Sequence, residues 1–304
     1  MPVTAVITNI ARASLHDGPG IRTVVYFKGC GLRCAWCHNP ETLTGKAEIL
    51  YAPVKCIACG RCIELCPACH SPSDTKMVFD RRAGTRCGKC ADLCPTGALS
   101  KCGEEMTLEE VLAQLRKDAH YYAQGGGVTL SGGECLLQSE FAAALLERLR
   151  AEGIHTAIES ALFVPREALD RVIPHTDLFF ADCKLPDPIR HRQYTGAENH
   201  RIMENLDYLT QAAPGRVICR IPLIPGVNDA PEDMDAFAAL LSPMAERLQA
   251  IELLRYNPLG ESKYTMSGRD YVGFGESQSD HVMLARVARL ESALSGRVRV
   301  FTVL

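Results

Sequence analysis

A chain of 304 residues with net charge −3, 47% hydrophobic and 23% charged residues is long enough for one large domain, or a domain carrying an insertion. The balanced charge and the lack of a basic block argue against a nucleic-acid binder. No apolar run approaches the roughly 20 residues needed to cross a bilayer. The first nine residues lack the basic flank and apolar core of an export signal, so a cytoplasmic setting with no membrane is expected.

Fifteen cysteines in such a setting call for something other than disulfides, which reducing compartments disfavour, and fifteen is odd. Eleven of them, at 30, 34, 37, 56, 59, 62, 66, 69, 87, 90 and 94, lie close together. That density points to metal groups. Zinc ribbons are the rival for the C-x2-C pairs, but runs of three and four cysteines followed by proline favour iron–sulfur clusters.

In chain order, residues 3–10 predict a lead-in strand and residues 14–22, with two glycines around a proline, a turn. Residues 23–27, Thr-Val-Val-Tyr-Phe, predict a buried strand that runs directly into Cys30-x3-Cys34-x2-Cys37. Three thiolates on one loop select an iron–sulfur cluster or zinc, and a cubane bound only there would keep one iron free of protein, an open position of the kind at which catalytic metals react.

Residues 50–102 change character. Cys56-x2-Cys59-x2-Cys62-x3-Cys66-Pro67 is a complete bacterial ferredoxin run, and Cys87-x2-Cys90-x3-Cys94-Pro95 is the last three-quarters of another. In two-cluster ferredoxins the fourth cysteine of each run crosses to the other cluster. That assigns Cys56, Cys59, Cys62 and Cys94 to one group, and Cys66, Cys87 and Cys90 to a second whose last ligand belongs at position 84. Position 84 is glycine. Cys69, Cys102 or an incomplete second cluster are the alternatives.

After Cys102 helices and strands alternate. Thr107 and Glu110 form a capping box ahead of Leu108, Val111, Leu112 and Leu115 at helical spacing. Strands are expected at 128–130, 155–159, 178–183, 217–223, 250–255 and 297–303. Helices are expected at 138–151, 165–173, 199–212, 231–247 and 281–295. Such alternation predicts an α/β fold with a parallel sheet. Six β/α units make a partial (β/α)6 TIM-like barrel, with a ferredoxin-like Cys-rich domain inserted after the first. The divisions are 1–49, 50–102 and 103–304. Sites of such folds gather at the carboxyl ends of strands. The cysteine loop and Ser131-Gly132-Gly133-Glu134 both fall there.

The cysteine loop, with aromatic Trp36 before its last cysteine, resembles the signature of radical S-adenosylmethionine (radical SAM) enzymes. The segments His16-Asp17-Gly18-Pro19-Gly20-Ile21-Arg22 and Cys37-His38-Asn39-Pro40-Glu41 resemble more specifically the glycyl-radical enzyme activating enzymes, the pyruvate formate-lyase activase family. The insert is similar to that of the subgroup acting on choline lyases, glycerol dehydratases and arylacetate decarboxylases. The likeness covers residues 9–265.

The resemblance implies that Cys30, Cys34 and Cys37 carry a 4Fe–4S cluster whose open iron is chelated by SAM. The expected 5′-deoxyadenosyl radical removes hydrogen from a glycine of a partner glycyl-radical enzyme. It also implies that Gly132, Gly133 and Glu134 meet the SAM amine. Glu159, Ser160, Asp182 and Lys184 are implied to line the SAM and monovalent-cation site. Arg220 is expected to meet the SAM carboxylate, and Asn257 to add a contact. One or two further 4Fe–4S clusters are expected in the insert, a flavodoxin or ferredoxin as reductant, and a monomer. Cys135 stands where the family often has proline. His38 is expected to pack beside the loop, and Cys183 and Cys219 to be buried thiols. Two other readings are a radical SAM enzyme modifying a peptide or small molecule, and a ferredoxin-type electron carrier. The c-type haem pattern in Cys34-Ala35-Trp36-Cys37-His38 leaves Cys30 surplus.

Overall fold

The computed structural model describes residues 3–74 and 76–304. Its thirteen strands are β1 (Thr4–Ser14), β2 (Arg22–Phe27), β3 (Glu48–Tyr51), β4 (His70–Pro72), β5 (Met77–Phe79), β6 (Leu99–Cys102), β7 (Glu104–Thr107), β8 (Gly127–Gly132), β9 (His155–Ser160), β10 (Leu178–Asp182), β11 (Val217–Pro222), β12 (Ala250–Leu254) and β13 (Val300–Phe301). Nine of them form one sheet in the order β13-β12-β11-β10-β9-β8-β2-β1-β7. From β2 to β13 all pairings are parallel, and β1 adds antiparallel partners β2 and β7 at one side. The order is linear, so the sheet is open, and β13, the strand expected at 297–303, pairs parallel with β12 beyond the six β/α units.

The strands are apolar on both faces because helices cover one face and the interior of the curve takes the other. Val128, Leu130, Ile158, Phe179, Ala181, Cys219 and Ile221 point to the helices and join one core. The helix Ser139–Ala151 meets them with Phe141, Ala142, Leu145, Leu146 and Leu149, spaced to fall on one stripe. Ahead of β8, the helix Leu108–Leu115 starts with the expected capping box: Thr107 accepts from the Glu110 N–H, and Glu110 accepts from the Thr107 N–H.

Side chains alternate across a strand, so the inner face follows from the same residues read one step out of phase. Its lower layer is apolar: Ala157, Leu178, Phe180, Ile218 and Ala250. One step further toward the carboxyl ends come Ser131, Glu159, Asp182, Arg220 and Glu252. The polar mouth is thus a continuation of the packed interior.

Residues 48–102 leave this sheet. β3 pairs with β6 and β4 with β5, both antiparallel, around Ile49, Tyr51, Met77, Ala98 and Leu99. Two short helices, Arg61–Leu65 and Lys89–Asp92, start from left-handed Gly60 (φ 77°) and Gly88 (φ 85°). Each follows the same Cys-Gly-basic-Cys turn.

Several boundaries differ from expectation. The helix placed at 231–247 is α-helical over Pro231–Leu241 and continues as a 3-10 helix over Ser242–Arg247, since Pro243 has no N–H to extend the α pattern. The last strand shortens to Val300–Phe301. The helices Pro188–Thr195 and Glu261–Ser267 were not foreseen, being polar and short. Among the described residues no helix is long and apolar enough to cross a membrane.

Phe141 is 1% exposed and meets Phe27 edge-on at 6.0 Å, beneath the strand that enters the cysteine loop. Phe141→Ala is expected to cost about 3–5 kcal/mol of stability, read as a lower urea midpoint with unchanged slope under anaerobic conditions.

Candidate active site

β2 ends at Phe27, and the loop that follows is held almost wholly by backbone. Gly29 turns it with φ 103°, and the Gly29 N–H donates to Thr42 O at 2.7 Å. The N–H groups of Arg33 and Ala35 donate to Thr195 O (2.7 Å) and Tyr194 O (2.9 Å). Lys28 is buried, and its ammonium donates to Glu41 O and to Glu48 Oε2 at 3.0 Å. Trp36 packs with Leu185, Ile224, Val227 and Tyr256, with Tyr194 and Phe274 rings each at 6.0 Å. A ring nitrogen of His38 contacts the Asn257 carbonyl, tying the loop to the end of β12.

The turn after β8 clamps this loop. The Gly133 N–H donates to Phe27 O at 3.0 Å, and the Glu134 N–H to Gly29 O at 2.7 Å. A Cβ on Gly133 would lie 2.3 Å from Gly29 O, and one on Gly132 (φ 116°) would lie 2.3 Å from Phe27 N. Only glycine lets the two backbones pass this closely.

Above the clamp opens a cavity of about 350 Å³. Cys30, Cys34 and Cys37 line it together with Trp36, Gly132, Gly133, Glu159, Ser160, Asp182, Lys184, Arg220 and Asn257. Every sequence-predicted SAM-site residue is therefore at one place except Glu134. Its side chain turns away beneath the wall, accepting from Ser160 Oγ (2.9 Å), Ala161 N (3.0 Å) and Leu136 N (3.2 Å). It caps the 3-10 turn Cys135–Gln138 and braces the end of β9. Burial pushes its pKa up to about 7, against the pull of these donors.

The mouth is charged and internally paired. Arg220 donates to Glu159, to Glu252 Oε2 at 2.7 Å and to His16 O at 3.0 Å, and its guanidinium stacks over Phe180 at 3.7 Å. Burial opposes its charge, but Glu159 and Glu252 outweigh that and hold its pKa above the ordinary value. Burial raises Glu159 to about 7 despite Arg220. Lys184 donates to Asp182 at 2.6 Å, and that carboxylate with the nearby thiols holds its pKa up against burial. Burial lifts Cys30, Cys34 and Cys37 to about 11, so these thiols ionise readily only beside a compensating positive charge such as bound iron.

Glu252 was missed in the sequence, and Ser131, placed at the strand ends beside Gly132, was given no role of its own. Glu252 is the one carboxylate in a run of otherwise buried apolar residues, Ala250-Ile251-Glu252-Leu253-Leu254, which was the available signal. Ser131 donates to Glu159 Oε2 at 2.6 Å. From the early turn, His16 O and Asp17 O accept from Arg220 and Thr129 on the inner face, and Arg22 is buried against Thr129 Oγ1 at 2.6 Å. Cys183 and Cys219 are buried in the helix-facing core, as expected.

In the insert, Cys56, Cys59, Cys62 and Cys94 line a cavity of about 130 Å³. Cys66, Cys87 and Cys90 line another of about 240 Å³, which also touches Gly84. Cys94 thus lies with the cysteines of the first run, and Cys66 with those of the second. Among the described residues no three His, Cys, Asp or Glu side chains converge tightly enough for a single metal ion.

A family model described as the radical SAM superfamily matches residues 56–238. The chain is 42% identical over 274 residues to the (2S)-3-sulfopropanediol dehydratase activating enzyme of Klebsiella oxytoca, spanning 88% of this chain and 86% of that one. It is 40% identical over 309 residues to the benzylsuccinate synthase activating enzyme of Thauera aromatica, spanning 98% and 92%. A radical SAM methyltransferase from Sphaerobacter thermophilus shares the fold, with TM-score 0.53 at 15% identity, covering 98% of this chain and 76% of that one. The chain belongs to the radical SAM superfamily. Within it, the relatives and the site place it among the glycyl-radical enzyme activating enzymes.

Gly133→Ala should push Gly29 aside and lower SAM affinity at least tenfold by isothermal titration, with far-ultraviolet circular dichroism unchanged. Glu134 also carries a pH signature. Because its folded pKa is raised, the folded state keeps a proton that the unfolded chain has released between about pH 4.5 and 7. Stability therefore falls as pH rises through that window. Glu134→Gln should flatten that part of the fall in urea midpoints of the cluster-free protein.

Proposed function

We propose that this chain installs a glycyl radical on a separate glycyl-radical enzyme. The observation that carries the reading is the single cavity shared by three loop thiols and the polar ends of the parallel strands. Three thiolates suit a 4Fe–4S cluster with one iron left for SAM, and the donor set is all sulfur, as such clusters prefer. When bound, the cluster supplies the electron that cleaves SAM to a 5′-deoxyadenosyl radical able to take hydrogen from the partner's glycine.

The chain's own residues bind, orient and exclude water. Gly132 and Gly133 present backbone to the ligand, and Glu134 keeps that turn and β9 in register through Ser160 and Ala161. Glu159, Asp182 and Lys184 set the charge of the wall, and these carboxylates are the donors for a monovalent cation. Arg220 is the guanidinium for the SAM carboxylate. Asn257 is placed at the rim with its side chain capping Leu259 N at 3.0 Å. Trp36 seals the back of the loop within its aromatic cluster.

The insert, in this reading, is a ferredoxin-like relay. Cys56, Cys59, Cys62 and Cys94 hold one 4Fe–4S cluster, and Cys66, Cys87 and Cys90 ligate a second. Two cavities ringed by cysteines in ferredoxin-type runs suit multi-iron groups. A flavodoxin or ferredoxin feeds it.

The test is anaerobic incubation of the iron-loaded protein with SAM, dithionite and a candidate partner. The expected result is 5′-deoxyadenosine together with a glycyl-radical doublet by electron paramagnetic resonance. 5′-Deoxyadenosine with no doublet on any candidate would favour a peptide or small-molecule substrate instead. Cys34→Ala is expected to abolish SAM cleavage. Cys59→Ala should cleave SAM normally with dithionite but at least tenfold more slowly with reduced flavodoxin.

A further inference from the structure

We propose that Cys69 is the fourth thiolate of the second cluster in the insert, replacing the cysteine that a ferredoxin run would carry at position 84. The inference rests on the reading of the insert as a cluster carrier and goes beyond it by naming a ligand outside the run's spacing.

The second run lacks its first cysteine, and Gly84 stands there. A Cβ built on Gly84 would lie 3.4 Å from Cys69 Sγ and 4.0 Å from Arg86 N, with nothing else nearby. The thiol of Cys69 thus fills the space a side chain at 84 would enter. It lines the same cavity as Cys66, Cys87 and Cys90, giving that cavity four thiols, as many as its neighbour has from Cys56, Cys59, Cys62 and Cys94.

The position is held by backbone. The Cys69 N–H donates to Cys66 O at 3.0 Å, and the Asp80 N–H donates to Cys69 O at 2.8 Å. Cys69 sits in the turn that leads into β4, and the residues after β5 lock it from the other side.

Two further side chains mark the cavity as built for a ligand. His70 is 2% exposed, and its Nε2 has no hydrogen-bond partner among the described residues. Arg81 Nε, on the same wall, is likewise unpartnered. The Arg81 Nε–H, a buried donor left open at the cavity wall, is matched by cluster sulfides, which accept such bonds, and His70 Nε2 joins it in the tautomer that carries its proton there. The His70 ring is stacked on Phe79 at 4.9 Å and its Nδ1 contacts Met77 Sδ at 3.3 Å, so it is fixed as a wall.

Cys102 is placed elsewhere. It ends β6 with its Sγ 3.8 Å from Glu41 O, and it does not line the cavity. The Sγ atoms of Cys66 and Cys69 lie 2.9 Å apart as a thiol contact. Rotation about χ1 separates them, and on ligation each thiol gives up its proton to solvent as its iron–sulfur bond forms. The rival for this Cys66-Pro67-Ala68-Cys69 pair is a redox dithiol.

The full chain is reconstituted anaerobically, and iron and sulfide are counted beside electron paramagnetic resonance and Mössbauer spectra. Wild type should hold about twelve irons, and Cys69→Ala should fall to about eight, or to about eleven with an oxidised three-iron signal. Cys102→Ala should keep the wild-type count. Since the loss could come from misfolding, the deciding variant is the transplant Cys69→Ala/Gly84→Cys, which should regain the full count. A full count with unchanged spectra in Cys69→Ala overturns the proposal, as does a Cys66–Cys69 disulfide in the iron-loaded wild type. A wild-type count of about eight overturns it while leaving the first insert cluster standing, and about four removes the cluster-carrier reading as well.

Discussion

The structure depends on the passage of Gly133 across Gly29. These two backbones run so close that a Cβ at 133 would lie 2.3 Å from a carbonyl oxygen. Two hydrogen bonds, from Gly133 N and Glu134 N, fasten the contact to Phe27 and Gly29. Cys30 follows Gly29 directly, so the clamp sets where the first thiol enters the cavity. The strand pair β2–β8 is parallel and in register from Arg22/Gly127 to Phe27/Gly132, which delivers both turns at the same height. A flexible loop is thereby made an extension of the rigid sheet, as a site for a reactive intermediate needs.

The inner face supplies the second constraint. Apolar residues fill its lower layer, and the next residues up each strand are charged. Five parallel strands end at one level, and the charges at those ends are paired with each other: Arg220 with Glu159 and Glu252, Lys184 with Asp182. Buried charges at this density hold together only as a network, since one left alone would carry an uncompensated desolvation cost. The pairing also keeps the wall near neutral, as a site meant for a cationic sulfonium, a carboxylate and iron together would need. Glu134 acts one layer behind this network, as a brace between the glycine turn and β9.

The insert uses a different device for the same end. Its core is small, and its two helices begin at left-handed glycines within repeated Cys-Gly-basic-Cys turns. Its apolar residues pack directly on Cys56, Cys62, Cys90 and Cys94. A domain with so little apolar material is of the kind that gains stability from bound metal. It also touches the barrel: Arg81 donates to Met266 O at 2.6 Å, and Arg269 to Glu48 Oε1 at 3.2 Å. The second cavity reaches Ser267 at the end of the barrel helix Glu261–Ser267.

Much of this was legible in the sequence because its signals are local. Cysteine spacing, glycine pairs, the capping box at Thr107 and the alternation of β-branched with helical stretches all act over fewer than about ten residues, the range at which propensity and pattern are set. The parallel order and the convergence of strand ends followed from these, as did the grouping of Cys94 with the first run and Cys66 with the second. Tertiary structure alone decided what depends on residues far apart in the chain. Glu134 turned out to brace rather than line the cavity, because Ser160 and Ala161 offer it donors across the sheet. Glu252 became a site residue only when β11 brought Arg220 beside it. The cysteine absent at 84 has its space filled by Cys69, fifteen residues earlier. Spacing could leave that choice open but not make it, since it counts residues along the chain while a ligand is chosen by where side chains meet.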